Sequence, residues 1–141
     1  MPSYTFKSQF VPFIKEGTKT QTIRKIRKYP CKPGQMISHF TGPRFKPVRI
    51  IDKKECTDVH GILIGKTGKV VIFIDCHETN ENYFYDYESK VLSKFLKDML
   101  AWADGFRHPD DLEKMDGCFD LMFSWWKATH TLPFIGHLIK W

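Results

Sequence analysis

Long apolar stretches are missing from this chain, which bears first on membrane insertion. A conspicuous apolar run, residues 70–74, is far shorter than the ~20 residues that a membrane-spanning helix needs. The first residues also lack a basic region followed by an apolar block, the pattern of a secretion signal. We therefore expect a cytoplasmic protein that makes no contact with a membrane.

Paired cysteines and metal-ligand spacings are lacking too. The four cysteines are spread along the chain without a C-x-x-C pair, so neither a zinc knuckle nor a redox motif is indicated. Cys76 and His77 are adjacent, and neighbours on a strand point to opposite faces, which makes them a poor chelate. The six histidines show no H-x-x-x-H spacing. We expect reduced thiols, no bound metal and no cofactor.

Repeats, low-complexity tracts and linker-like segments are absent as well. A length of 141 residues is enough to enclose one hydrophobic core without disulfide staples. The composition, 42% apolar and 15% aromatic, is that of a folded chain. We expect residues 1–141 to form a single domain and the protein to be a monomer.

Acidic side chains are scarce in the first part of the chain. Residues 1–54 carry 13 Lys or Arg residues but only Glu16 and Asp52, a net charge of +11, whereas the remainder carries −5. A strongly basic half is a common footprint of a partner that bears phosphate groups. The alternative is a solvated basic loop that serves only solubility.

Hydrophobic periodicity predicts strands early in the chain and helices late. A short helix over 8–14 ends at Gly17, a second helix runs over 92–103, and a third begins near 108–111 and continues towards Lys127. In the third helix the spacing of Phe119, Met122 and Phe123 predicts core positions. The strands are predicted at 3–7, 35–40, 48–54, 59–64, 69–75 and 132–141. This order favours an α+β fold, a small β-barrel or curled sheet with helices packed outside.

One polar run carries the candidate chemistry, Gly17-x-Lys19-x-x-Thr22-x-Arg24. Its glycine allows the backbone to approach a ligand closely. If the segment is extended, the strand period places Thr20, Thr22 and Arg24 on one face. Taken alone, the pattern is compatible with a phosphate- or base-binding segment and equally with an exposed polar strand.

The run Gly-Thr-Lys-Thr-Gln-Thr-Ile-Arg at residues 17–24 resembles the G-x-K-x-x-T-x-R signature of the ASCH family, part of the PUA-like superfamily. Further likenesses are a Pro-Gly-Gln turn at 33–35 and an Ala-Asp-Gly-Phe element at 103–106. The ending, residues 132–141, looks like the terminal strand of phage and bacterial relatives. Residues 76–91 have no counterpart, and we expect them to be an insertion.

The resemblance implies a PUA-like small β-barrel whose cleft handles RNA or modified nucleosides. One branch of the family hydrolyses N4-acetylcytidine with the signature lysine, the signature threonine and a downstream glutamate. Carried over, these roles fall on Lys19, Thr22 and Asp104, although Asp104 is one methylene shorter than the family's glutamate. The ligand-binding residues implied by the signature are Gly17, Lys19, Thr20, Thr22 and Arg24.

Three functional hypotheses follow. The first is a module that binds RNA or a modified nucleoside in a basic cleft around residues 17–24. The second is a small hydrolase, either an N4-acetylcytidine amidohydrolase or a ribonuclease, that uses Lys19, Thr22 and Asp104. The third is a phage accessory protein that binds a host protein through residues 76–91, which are rich in tyrosine and acidic side chains.

Overall fold

The computed structural model describes residues 2–141, which form eight strands and three α-helices. The strands are β1 (Ser3–Phe6), β2 (Gln21–Lys25), β3 (Met36–Thr41), β4 (Val48–Glu55), β5 (Asp58–Ile64), β6 (Val70–Phe73), β7 (Ser89–Val91) and β8 (Phe134–Lys140). The helices are α1 (Val11–Glu16), α2 (Lys94–Ala103) and α3 (Cys118–Thr129), with 3-10 turns at Ser8–Phe10 and Glu81–Asp86. The expected α+β class is confirmed.

The strands are divided between two sheets. A three-stranded sheet has the order β1-β3-β4, with β1 parallel to β3, and a five-stranded antiparallel sheet has the order β2-β8-β5-β6-β7. Within residues 2–141 neither sheet pairs its two edge strands, so neither hydrogen-bonded ladder closes on itself. The barrel expected from the family resemblance stays a prediction.

Strand β8 fixes the position of the signature segment. It pairs with β2 on one side and β5 on the other, and Gly136 stands opposite Lys25. A Cβ atom at Gly136 would collide with the carbonyl oxygen of Arg24 and lie 2.7 Å from the ring of Phe134. The glycine therefore permits the close approach of β2 to the centre of the sheet.

Helix α1 ends where the sequence predicts, at Gly17, whose left-handed φ of +83° suits a residue without a side chain. The backbone N–H groups of Thr18 and Lys19 both donate to the carbonyl oxygen of Phe13, each at 3.0 Å. These bonds turn the chain sharply before β2 begins. The backbone of Lys19 is therefore bonded to α1, and Lys19 lies before the first residue of β2.

The late helices only partly match the sequence prediction. Helix α2 is confirmed, and its first turn is capped by the Ser93 hydroxyl, which accepts the N–H of Leu96 at 3.4 Å. A helix start at 108–111 is wrong, because His108 Nε2 lies 2.6 Å from the carbonyl oxygen of Asp116 and closes a loop. Helix α3 begins only at Cys118, after Gly117 with a φ of +81°. No helix within residues 2–141 is long and apolar enough to cross a membrane.

Residues 76–91 contain the 3-10 turn Glu81–Asp86 and the edge strand β7 of the five-stranded sheet. The 3-10 turn Glu81–Asp86 buries Phe84, and β7 adds an edge strand beside β6. Phe84 lies so close to Gly61 that a Cβ atom there would come within 2.8 Å of its ring. Cys76 and Tyr87 pack in the same cluster as Phe84, so several side chains anchor the segment. That it is an insertion stays a prediction.

Candidate functional site

A cavity of about 390 Å³ lies beside β2, between β1, the end of α2 and α3. Four of the predicted site residues line it: Lys19, Thr22, Arg24 and Asp104. Gly17 and Thr20 do not. Gly17 borders a separate depression beside β4, and Thr20 lines another cavity, with its N–H donated to the Ala103 carbonyl oxygen at 3.3 Å.

Lys19 is buried, with 2% of its surface exposed, and its ammonium group has three acceptors. Nζ donates to the carbonyl oxygen of Gln21 at 2.7 Å, to that of Asp104 at 2.6 Å and to Asp104 Oδ1 at 3.1 Å. The rings of Phe6 and Phe10 lie 5.6 and 5.0 Å from Nζ, within the range of cation–π attraction. A cation so fully satisfied joins β2 to the end of α2.

The protonation equilibria of this pair are displaced by burial. Desolvation lowers the pKa of Lys19, the charges of Arg24 and Arg107 act in the same direction, and Asp104 opposes them without prevailing. Desolvation likewise raises the pKa of the Asp104 carboxyl, although Lys19 opposes it. Both shifts favour the uncharged forms. The pair is therefore easier to discharge than a solvated lysine and aspartate would be.

The Asp-Gly-Phe element places Asp104 through backbone geometry. Asp104 ends α2 with its N–H donated to the Leu100 carbonyl oxygen at 3.0 Å, and Gly105 follows with a φ of +96°. A Cβ atom at Gly105 would lie 2.8 Å from the Phe10 ring and 3.1 Å from the Lys19 side chain. Only glycine leaves room for Lys19 to reach Asp104 here.

The Arg24 guanidinium forms two hydrogen bonds, one to the Thr22 hydroxyl and one to the backbone of β1. Its Nε donates to Thr22 Oγ1 at 3.0 Å, and one terminal nitrogen donates to the carbonyl oxygen of Thr5 at 2.9 Å. A guanidinium has five N–H donors, of which these bonds use two, and the Arg24 side chain lines the cavity. Between residues 2 and 141, no hydrogen bond joins the Thr22 hydroxyl to Lys19 Nζ. Thr22 therefore lies near a lysine but is not activated by it in this state.

Aromatic side chains from α3 and the adjoining segments form the opposite wall. Trp125 is half-buried, its ring centre lies 5.5 Å from that of Phe106, and Lys7 Nζ lies 5.3 Å above it. Trp126 is buried, and its ring centre lies 4.0 Å from that of His130. From sequence, adjacent tryptophans at 125 and 126 are compatible with base stacking, but their helical spacing favours core positions. The structure buries Trp126, leaves Trp125 half-buried and places both at the cavity.

Exposed cations surround the entrance. Lys7, Lys25 and Arg27 are exposed and line the cavity, and within residues 2–141 none of the three forms an ion pair with an acidic side chain. Arg27 lies 4.2 Å above the ring of Tyr4 and donates to the Ser3 carbonyl oxygen at 3.1 Å. These cations are placed to attract an anion to the aromatic wall.

One group of potential metal ligands lies apart from this cavity. Ligand atoms of Asp58, His60 and Asp75 all lie within 4.8 Å of one another. His60 Nδ1 already accepts the backbone N–H of Asp75 at 3.0 Å, so this nitrogen is occupied. None of the three lines the cavity beside β2. The absence of a metal stays a prediction.

Comparison of the chain with profiles of known protein families found no match. Comparisons with curated proteins and with solved structures found none either. The likeness of residues 17–24 to the ASCH signature therefore remains a resemblance of motif.

Proposed function

We propose that this protein binds a nucleoside, free or within RNA, in the cavity beside β2. The observation that carries the proposal is the pairing of two features in one cavity. Lys7, Lys25 and Arg27, which form no ion pair within residues 2–141, line the cavity together with an aromatic wall that includes Trp125, and Lys7 Nζ lies 5.3 Å above the Trp125 ring. Phosphate groups and flat bases are the two parts of a nucleotide, and these are the side chains that bind each.

The binding mode follows from the position of each group. The base lies against Trp125, and the sugar phosphate lies towards the exposed cations. The free N–H donors of Arg24 face a carbonyl or phosphate oxygen of the ligand, which a guanidinium binds through two bonds at once. A cavity of about 390 Å³ falls within the size range of small-ligand pockets, which suits one nucleoside.

The proposal includes a PUA-like architecture for the two sheets and membership of the ASCH-like group. It is supported by the signature residues Lys19, Thr22 and Arg24, which line one cavity together with Asp104. In such an arrangement the cleft beside β2 is the ligand site, and the protein acts as a monomeric cytoplasmic reader of RNA.

A second candidate function is hydrolysis of an acylated nucleoside. It is favoured by the lowered pKa of Lys19 in the cavity that Thr22 also lines. The Thr22 oxygen would attack the acyl carbonyl while its proton passes to neutral Lys19, the amide C–N bond would break as the amine took that proton, and water would then cleave the acyl-threonine ester. The step requires a shift that brings Lys19 within reach of Thr22.

Titration with short fluorescent RNAs and with cytidine and N4-acetylcytidine tests the primary proposal. Affinity for RNA is expected to fall steeply with salt, because phosphate contacts release counterions. Arg24→Ala is expected to weaken binding, whereas Arg49→Ala, an exposed arginine on β4, is the matched control. Equal affinities for both variants at low salt would show that the ligand does not occupy this cavity.

A further inference from the structure

Strand β7 is the outer strand of the five-stranded sheet, and its free edge faces solvent. It pairs with β6 in the register Val71 with Val91, Ile72 with Lys90 and Phe73 with Ser89. All three residues of β7 are exposed, and within residues 2–141 no strand lies on its other side. Nothing in the described chain covers this edge.

The direction of each backbone group on β7 follows from the ladder. The N–H of Leu92 donates to the Val70 carbonyl oxygen at 2.9 Å, and the N–H of Ile74 donates to the Glu88 carbonyl oxygen at 2.8 Å. Because hydrogen-bonded pairs alternate along an antiparallel ladder, the backbone N–H and C=O groups of Lys90 also point towards β6. Ser89 and Val91 therefore direct their N–H and C=O groups outwards.

Acidic and aromatic side chains surround this edge, which belongs to the part of the chain, residues 55–141, whose net charge is −5. Lys90 on β7 itself is an exposed basic residue among them. Glu81, Asp86 and Glu88 are exposed, and within residues 2–141 none of them forms an ion pair. Beside them Tyr85 is 65% exposed and Val91 56% exposed. Unpaired backbone groups, exposed apolar side chains and a net negative charge thus lie within one segment, residues 81–91.

We propose that β7 binds a basic, extended segment of a partner protein, which adds to the sheet as a further strand. The outward groups of Ser89 and Val91 supply the backbone bonds, as in other cases of strand addition. Basic side chains of the segment meet Asp86 and Glu88, and apolar ones at alternate positions meet Val91 and Tyr85. This site is separate from the cavity beside β2 and does not depend on its function.

Charge decides between this occupant and two others. Edge-to-edge pairing with a second copy of β7 would bring the acidic flanks of both copies together, which like-charge repulsion disfavours. A nucleic acid would meet the same negative charges with its phosphates. A segment rich in Lys and Arg gains from them instead.

The test uses a fluorescent peptide of alternating Arg and Val, measured by anisotropy at low salt, with an alternating Glu and Val peptide as the control. Val91→Pro removes an outward N–H while sparing the ladder to β6, since proline is tolerated at such edge positions. We expect it to weaken binding by roughly two- to tenfold, the effect of one lost hydrogen bond. Val91→Thr keeps the N–H and is expected to bind as the unmodified protein does.

Three further experiments keep the test decisive if Val91→Pro does not fold: methylation of the peptide backbone, hydrogen exchange and a change of charge at Glu88. Backbone N-methylation of the peptide at alternate residues is expected to abolish binding, and the peptide is expected to slow hydrogen exchange of the Ser89 and Val91 amides. Glu88→Lys is expected to weaken binding, and Glu113→Lys, in an exposed loop elsewhere, is not. No binding of the basic peptide, equal binding of the acidic one, RNA protection of these amides, or a dimer lost in Val91→Pro would overturn the proposal.

Discussion

Lys19 Nζ and the backbone carbonyl oxygen of Asp104 lie 2.6 Å apart, which is shorter than the 3.1 Å between Nζ and the Asp104 carboxylate. The lysine is thus held to the end of α2 by the backbone as well as by charge. Any change of the Asp104 side chain leaves two backbone acceptors for the ammonium, that of Asp104 and that of Gln21. Lys19 has a structural role whatever chemistry the cavity performs.

Lys19→Met is expected to reduce the free energy of unfolding by about 3–5 kcal/mol, because it leaves a buried carboxyl and two carbonyl oxygens without their donor. Urea denaturation with a two-state analysis measures the change. The double variant Lys19→Met/Asp104→Leu is expected to be more stable than Lys19→Met alone, since it removes the unpaired acid. Asp104→Leu alone completes the comparison. If the stability loss of the double variant equals the sum of the losses of the two single variants, the two side chains do not interact.

If the protein hydrolyses an acylated nucleoside, turnover of N4-acetylcytidine should rise with pH, because Lys19 must be neutral to accept the Thr22 proton. Burial lowers the pKa of Lys19, so the rise should begin below the ordinary lysine value of about 10.4. Asp104→Asn removes a charge that raises this pKa, and should move the rise to lower pH. Chromatography of products over a pH series measures both profiles.

Controls separate the enzyme from the binding module. Thr22→Ala is expected to abolish turnover, whereas any loss of nucleoside affinity measures the part that Thr22 has in binding. Asp104→Glu is expected to raise turnover by restoring the longer acid. If neither the unmodified protein nor Asp104→Glu turns over N4-acetylcytidine while both still bind nucleosides, the hydrolase hypothesis is rejected and the nucleoside-binding function stands.

Most of the strands could be predicted from sequence, because alternation and β-branched residues report directly on a half-buried sheet. The start of α3 could not. The residues at 108–111 carry the signals of a helix start, but a loop closed by His108 and Asp116 outweighs them. Such a bond joins side chain to backbone across eight residues and leaves no local pattern.

From sequence, the polar half of the candidate site is predicted from one motif, whereas Trp125 and Trp126 are favoured as core residues over base-stacking ones. The motif identified Lys19, Thr22 and Arg24, whereas Thr20 turns away because its backbone is bonded to the end of α2 and to Trp141. The aromatic half depends on how α3 packs against β2, a long-range contact that helical spacing does not encode. Sequence reasoning finds residues that share a strand more readily than residues that share a cavity.

Helix α3 offers a test of its register that uses two neighbouring residues. Met122 is 0% exposed, whereas Phe123 is half-buried and stacks on Phe119 at 5.6 Å between ring centres. Met122→Ala is expected to cost about 2–5 kcal/mol of stability. Phe123, predicted as core from sequence, should cost less when changed to alanine because part of its surface remains in water. Thermal melts of both variants give the order, and the reverse order would contradict the register.

His39 should make the protein sensitive to mild acid. Its side chain is fully buried, and its ring centre lies 4.5 Å from that of Trp141. Among residues 2–141 neither ring nitrogen has a hydrogen-bond partner. Burial, with the charges of Lys19 and Lys54, lowers its pKa from 6.5 to about 4. Between these values the unfolded chain binds a proton that the folded protein does not, so stability falls as the pH falls.

The shift corresponds to roughly 3 kcal/mol of stability that is present above pH ~6.5 and lost as the pH approaches ~4. Urea denaturation at several pH values measures this slope. His39→Leu removes the titrating group and should flatten the curve over the same interval, because leucine leaves no imidazole to protonate in the unfolded chain. Other buried histidines contribute equally to both proteins, so the difference between the two curves isolates His39. Parallel curves would mean that His39 titrates alike in the folded and unfolded states.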